Sequence, residues 1–337
     1  MRVGASMPGR RLAARTGRLP QCQRGMAMLV AILLVTLGTI IAAAVAYESA
    51  MAARRSTSTF AFDEALLVDQ GVEAFAAYGL RAWFQQNSSG PNGAGDITPA
   101  QPWAQPLPPT EIVPGVMVEG QLEDLQGRFN LNWLGLQFNN QPNPMAVKAF
   151  NQLLTKLQIE PKWTDMIVDW IDQNTTPLPD GAEDSAYLGQ NPPYLTANQF
   201  ITSTSELLAL PGFGRERFEK LAPYVSALPP ASKFNICSSH GKLLDAFTKE
   251  EEYGNDEVAF EKLRAAASGC FPPAKLYESK AVGSSGGPQG ISIGTNSVYF
   301  RLTTLVTIGT AEFNLYSLLY VDSNQRVHVL TRSFTPD

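Results

Sequence analysis

The chain has 337 residues, 44% hydrophobic and 17% charged, enough for a sizeable core and for two or three domains. Its formal net charge is -5, but residues 1–25 hold six arginines (Arg2, Arg10, Arg11, Arg15, Arg18 and Arg24) and no acidic residue, so the remainder carries 20 basic against 31 acidic residues, a net charge of -11. An acidic body of this kind lacks the usual source of nucleic-acid affinity, the neutralisation of phosphates, and suits solubility or the binding of a hard cation.

Residues 26–46, MAMLVAILLVTLGTIIAAAVA, form a run of 21 uncharged positions. At about 1.5 Å per residue, a helix of that length spans a hydrocarbon layer of about 30 Å, so a membrane segment is expected. The alanines over 42–46 also fit the end of a secretory signal peptide, but the helical pattern does not stop there. YESAMAARRSTSTFAFDEALLVDQGVEAFAAYGLRAWFQQ continues it without a proline until residues 87–95 break it. The predicted helix over 26–86 is apolar all round in its first half and amphipathic in its second, with Phe60, Leu67, Ala74, Phe75 and Tyr78 available to one face.

The junction QRG followed by MAMLVAILLVTL resembles the leader of the type IV pilin class. That resemblance implies cleavage after Gly25 by a prepilin peptidase, N-methylation of Met26, and packing of the apolar helix against its like in a filament core. Most members carry a glutamate at mature position five, thought to neutralise the amino terminus of a neighbouring subunit; Val30 stands there instead. A buried carboxylate without a partner is costly, so a subunit with no neighbour to serve has reason to lack it.

Residues 88–115 are rich in proline and glycine and read as a linker. The next segment alternates at Val116, Val118 and Gly120 and resumes with Phe129 and Leu131, which predicts a hairpin turning over 125–127. Over 142–228 the pattern is helical and punctuated by prolines, giving three to five short helices. The segments 297–308, 311–321 and 326–334 predict an antiparallel meander.

This order, with LEDLQGRFNLNWL and DWIDQNTTPLPDGAEDSAYLGQNPPY, resembles the K-type minor pseudopilins of type II secretion systems, in which absence of the position-five glutamate is typical. The resemblance implies an α+β fold: a long pilin-like amino-terminal helix packed on an antiparallel β-sheet, with an inserted all-α domain. The implied division is a leader over 1–25, a transmembrane part over 26–46, the pseudopilin helix and first strands over 47–141, the helical insertion over 142–230, and the rest of the sheet domain over 231–337. It further implies a non-enzymatic subunit of the inner membrane with its globular part in the periplasm. Such a subunit caps the pseudopilus with I-type and J-type minor pseudopilins, meets the major pseudopilin and the prepilin peptidase, and supports export of folded proteins across the outer membrane.

Asp165, Asp169 and Asp172 fall at i, i+4 and i+7 on one helix face, the last two near its carboxyl end, where both like-charge repulsion and the helix dipole disfavour anions. A turn returns Asp180, Glu183 and Asp184, with Asn174, Thr175 and Thr176 between. Oxygen donors dominate, as calcium prefers, and no histidine or cysteine competes for zinc. The spacing is not that of an EF-hand, and a solvated acidic loop with N-cap aspartates fits the same residues. K-type pseudopilins are calcium-bound at the segment this one resembles, which implies a calcium site at Asp169, Asp172, Asn174, Asp180, Glu183 and Asp184.

Cys22 lies in the basic leader, leaving Cys237 and Cys270 either bridged, which stabilises by about 3–4 kcal/mol in the chain-entropy model, or buried as reduced thiols. The segment LPGFG over 210–214 resembles the hairpin of a helix-hairpin-helix module, and so suggests the alternative of a DNA-binding minor pilin of an uptake system. Arg215, Arg217 and Lys220 are nearly balanced there by Glu216 and Glu219, and no nucleic-acid partner is expected. The G-x-S-x-G spacing over 283–287 is followed by PQGISIG, a loop rather than the helix that a nucleophile elbow needs. His240 and His328 have no motif neighbours, and P-loop, CxxC and HExxH patterns are absent, which argues against a hydrolase.

Overall fold

The computed structural model describes residues 22–87, 95–135, 137–138, 141–248, 252–267, 269–273, 277 and 291–335. Helix α1, Cys22–Asn87, runs through two compact units, residues 1–61 and 62–337. In the first unit the apolar side chains face outward: Met28, Leu34 and Ile40 are 60–67% exposed. Thr36 and Thr39 turn their hydroxyls back onto the carbonyls of Leu33 and Thr36, at 2.9 and 2.8 Å, so this surface offers an apolar solvent few unpaired polar groups. By length and hydropathy α1 is the one membrane-spanning candidate among the described residues.

The second unit is built on a five-stranded antiparallel sheet of Leu107–Val113, Val116–Asp124, Tyr299–Ile308, Ala311–Val321 and Val327–Ser333, neighbours in that order. The chain first forms β1, Leu107–Val113, and β2, Val116–Asp124. Three short strands follow: β3, Phe129–Asn130; β4, Gln137–Phe138; and β5, Gln141–Pro142. Then come helices α2, Pro144–Lys156; α3, Trp163–Ile171; α4, Asp184–Tyr187; and α5, Gly214–Leu221. After β6, Val225–Ser226, and β7, Phe234–Asn235, the chain forms α6, Gly241–Phe247, and α7, Glu257–Ala266. It closes with β8, Ile293–Gly294; β9, Tyr299–Ile308; β10, Ala311–Val321; and β11, Val327–Ser333. The α+β architecture and the carboxyl-terminal meander match the expectation.

Strand period and helix period meet at one interface. Phe300, Leu302, Thr304 and Val306 of β9 and Leu315, Ser317, Leu319 and Val321 of β10 alternate inward, and α1 meets this surface with Ala65, Asp69, Glu73, Leu80 and Phe84. The face expected from the sequence is therefore the wrong one: Phe60, Leu67, Phe75 and Tyr78 are 70–72% exposed, and Ala74 is exposed too. Two carboxylates took the inward positions because the sheet supplies their partners. Thr304 donates to Asp69, Ser317 donates to Glu73 at 2.7 Å, and Arg332 of β11 holds Glu73 with two bonds of 2.8 Å.

The predicted hairpin lies one strand earlier than expected. β2 pairs with β1 through a turn at Gly115, whose φ of 84° suits glycine, whereas residues 125–127 form a 3-10 turn leading into β3, which pairs in parallel with β6. β1 falls inside the stretch read as a linker. Its Pro108 and Pro109 cannot donate to a ladder, and the edge of the sheet is where that is tolerated.

β2 and β9 are ladder neighbours although residues 125–298 lie between them. That segment has its own core, running from Phe129 through Phe150, Ile167, Tyr187 and Phe213 to Phe247, Tyr277 and Ile291. Phe129 meets Phe150 at 5.0 Å, and Phe234 meets Phe247 at 4.7 Å. Helices α6 and α7 belong to this core, which thus continues past residue 230. Cys237 and Cys270 are joined by a disulfide that ties the turn after β7 to the segment after α7.

Candidate functional site

The acidic segment begins in α3, which buries Ile167, Val168, Trp170 and Ile171 in the helical core and so carries Asp169 to 0% exposure. Asp165 lies in the favourable first turn, while Asp169 sits in the last turn and Asp172 is the C-cap, both at the negative end of the helix dipole. The chain returns along α3: the Leu178 N–H donates to Asp169 Oδ2 at 3.0 Å, and the Asp180 N–H donates to Asp165 Oδ2 at 3.3 Å. Gly181 is needed at this approach, because a Cβ there would collide with the Asp169 carboxylate. Glu183, the N-cap residue of α4, is buried without a side-chain capping bond, and the Thr196 N–H donates to Asp184 Oδ1 at 3.0 Å.

This arrangement leaves oxygens without donors. Asp169 Oδ1, both carboxylate oxygens of Glu183, the Tyr187 hydroxyl and Thr196 Oγ1 are buried with no hydrogen-bond partner. Burial is the main reason that Asp169 is pushed up to about 6, with the charges of Asp172 and Asp165 adding to it against the Leu178 and Ala182 N–H groups. Burial, then the charges of Asp169, Asp172 and Asp184, pushes Glu183 up to about 7. Burial raises Asp172 as well. An oxygen-rich, undercompensated acidic pocket of this kind fits a hard divalent cation, which replaces the missing donors and neutralises the repulsion. Among the described residues no three His, Cys, Asp or Glu side chains are already drawn together as a metal cluster. The pocket therefore gathers carboxylates without forming a finished cage.

Of the six residues singled out from sequence, Asp169, Asp172, Glu183 and Asp184 interact electrostatically in one place. Asn174 and Asp180 lie on the exposed side. The Asn174 backbone and side-chain amides both donate to Asp172, at 3.1 and 2.7 Å, and Asn174 Oδ1 accepts the Thr176 N–H at 2.7 Å. Sequence reasoning missed the two hydroxyls. Tyr187 had a signal, its position four residues after Glu183; Thr196 had none.

The other motifs are accounted for structurally. LPGFG joins a 3-10 segment, Thr204–Ala209, to α5, with Gly212 and Gly214 at φ of 80° and 74°. Its cations are engaged: Arg217 bonds both carboxylate oxygens of Glu160 at 3.0 Å, Arg215 meets Glu219 at 2.7 Å, and Lys220 meets Glu216 at 2.8 Å. His240 has its pKa lowered mainly by burial, and His328 lies 2.9 Å from Asp322. The 283–287 segment lies outside the described residues, as do residues 1–21 of the expected leader. The Gly25–Met26 junction lies within α1, with Met26 and Val30 exposed.

An amino-terminal helix long and apolar enough to cross a membrane, an antiparallel sheet, and a helical unit inserted between neighbouring strands are together the marks of a pilin-like subunit. The family model for type II secretion system protein K matches residues 127–230. Type II secretion system protein K of Aeromonas hydrophila is 35% identical over 225 residues, which cover 63% of this chain and 66% of that protein. The proteins of the same name from Pseudomonas aeruginosa and Pectobacterium carotovorum are 28% and 29% identical, with 92% and 93% of this chain and 92% and 96% of theirs covered. The fold matches a chain in the crystal structure of the GspK-GspI-GspJ complex from enterotoxigenic Escherichia coli with a TM-score of 0.65 at 22% identity, covering 84% of this chain and all of that one. The chain belongs to the protein K family of type II secretion systems, the minor pseudopilins of K type.

Proposed function

We propose that the chain is a structural, non-enzymatic subunit at the tip of the pseudopilus, where it meets I-type and J-type minor pseudopilins, helps to start filament assembly and supports export of folded periplasmic proteins. The observation that carries this reading is the insertion of residues 125–298 between the ladder neighbours β2 and β9. An enlarged head of that kind suits an end position better than a repeating shaft. α1 anchors it once in the inner membrane, with the globular part in the periplasm, after the prepilin peptidase has cut behind Gly25 and Met26 has been methylated. Val30 removes the carboxylate with which a subunit serves the neighbour at its amino terminus, and the major pseudopilin follows below.

Calcium is the proposed ligand of the acidic pocket, held by Asp169, Asp172, Glu183 and Asp184 and, on its outer side, by Asn174 and Asp180. Bound there, the ion supplies the countercharge that these carboxylates lack. The residues' part is to fix the carboxyl end of α3 to the start of α4, and so to stiffen one side of the inserted unit.

The test is intact mass and amino-terminal sequencing of the detergent-extracted full chain, from cells with and without prepilin peptidase, combined with co-purification of tagged I-type and J-type partners. The expected result is a methylated Met26 start only with the peptidase, and recovery of both partners. A start near Glu48, or recovery of neither partner, would sink the tip assignment.

A further inference from the structure

Tyr187 is one of the buried polar groups of the helical core that has no partner. It ends α4, its side chain is 0% exposed, and its hydroxyl has no hydrogen-bond partner. The ring is held in place: Trp170 packs against it with centroids 5.2 Å apart, and Tyr194 does so at 5.5 Å. Tyr194 is itself fixed, because its hydroxyl donates to the Ala209 carbonyl at 2.5 Å. The Tyr187 hydroxyl is thus buried on a fixed ring.

Glu183, four residues earlier, is the N-cap residue of α4, with extended backbone, and both of its oxygens lack donors. Trp170 follows Asp169 directly, whose Oδ1 also lacks one. The hydroxyl is within electrostatic reach of both carboxylates, and their charges add to the burial that disfavours its ionisation, so it stays a neutral donor.

We propose that Tyr187 is a positioning residue of the cation pocket: unpaired in this structure, its hydroxyl turns to donate to a carboxylate oxygen of Glu183 or Asp169 when an ion binds, so that the remaining oxygens face the ion. This rests on the calcium reading above. Ligating carboxylates are commonly oriented by a hydrogen bond from an outer partner, and loss of such a partner costs about 10–100-fold in metal affinity.

The experiment is a calcium chloride titration, by calorimetry, of the full chain in detergent, comparing wild type with Tyr187→Phe and recording melting temperatures in chelator. The substitution keeps the ring and removes only the oxygen. The expected result is an affinity about 10–100-fold weaker, with a chelated melting temperature equal to or above that of wild type, since an unpaired buried hydroxyl has been removed. Unchanged affinity in Tyr187→Phe, beside a wild type that binds, would overturn the proposal and leave the calcium reading standing. An equal drop in melting temperature with and without calcium at unchanged affinity would make Tyr187 a packing residue, which also overturns it. A wild type that takes up no calcium would overturn the calcium reading and this proposal together.

Discussion

Asn235 donates from its side-chain nitrogen to Asp124 Oδ2 at 2.8 Å, joining residues 111 apart at the seam between the sheet and the helical core. The same carboxylate accepts Ser297 Oγ at 2.7 Å and the Gln126 N–H at 2.9 Å, so the end of β2, the turn after it, β7 and the approach to β9 meet on one buried group. Burial raises Asp124, and hydrogen bonds rather than a cation offset it. Asp124→Ala should lower stability by about 2–4 kcal/mol, because it leaves several buried donors unpaired at once. Urea denaturation of the detergent-solubilised chain measures this, and an unchanged midpoint would show that the seam is held elsewhere.

The ion-free pocket should respond to pH with a definite sign. A carboxyl whose folded pKa exceeds its unfolded value holds its proton better in the folded chain. It therefore adds stability at acid pH, which disappears as the pH rises through about 6 for Asp169 and about 7 for Glu183. Calcium binds the deprotonated forms, so it replaces the lost stability where the charges appear. The rise in melting temperature on adding calcium should be larger at pH 7.5 than at pH 5.5. Asp69, also pushed up to about 6, lies on α1 away from the pocket, and its titration cancels in the difference between loaded and chelated samples. A calcium shift that is independent of pH would contradict the assignment of these two carboxylates.

The sheet meander and the helical block were legible because Phe300, Leu302 and Val306, or Leu315 and Leu319, alternate with clear polarity, and because prolines bound the short helices. β1 was hidden: LPPTEIV has the composition of a linker, and only pairing with β2 at the sheet edge makes it a strand. The buried face of α1 was misread for a related reason. Asp69 and Glu73 look like solvent positions until Thr304, Ser317 and Arg332, more than two hundred residues later, are placed opposite them. In the acidic pocket the chain-local aspartates were visible from their spacing, whereas Thr196 reaches it only through tertiary contact, its backbone N–H donating to Asp184.

Gly181→Ala probes the pocket without removing a carboxylate. The added methyl would overlap Asp169 Oδ2, so either the carboxylate leaves its position or the 178–181 turn lifts from α3. In both cases the Leu178 N–H loses its acceptor and the oxygens no longer converge. Calcium affinity should fall at least about tenfold, the scale of a lost supporting contact, while the rest of the helical core is retained. Isothermal titration with calcium, with far-ultraviolet circular dichroism as the folding control, decides it. Full affinity in a folded variant would place the ion away from Asp169.

Val30→Glu tests tip placement through the membrane segment. Val30 is exposed on α1, the fifth residue after the expected cut, and the mature chain offers no basic side chain before Arg54. A glutamate there gives the subunit the group with which shaft pilins are thought to neutralise a neighbour's amino terminus. In a tip subunit that neighbour is absent, and the carboxylate is left in an apolar layer without a partner. Peptidase cleavage should proceed as in wild type, since the residues around Gly25 are untouched. Secretion and recovery of the I-type and J-type partners should fall, and the variant should appear along the shaft when sheared filaments are probed by immunoblot. Normal secretion together with normal partner recovery would count against the tip, because it would mean that a carboxylate at this position finds a partner after all.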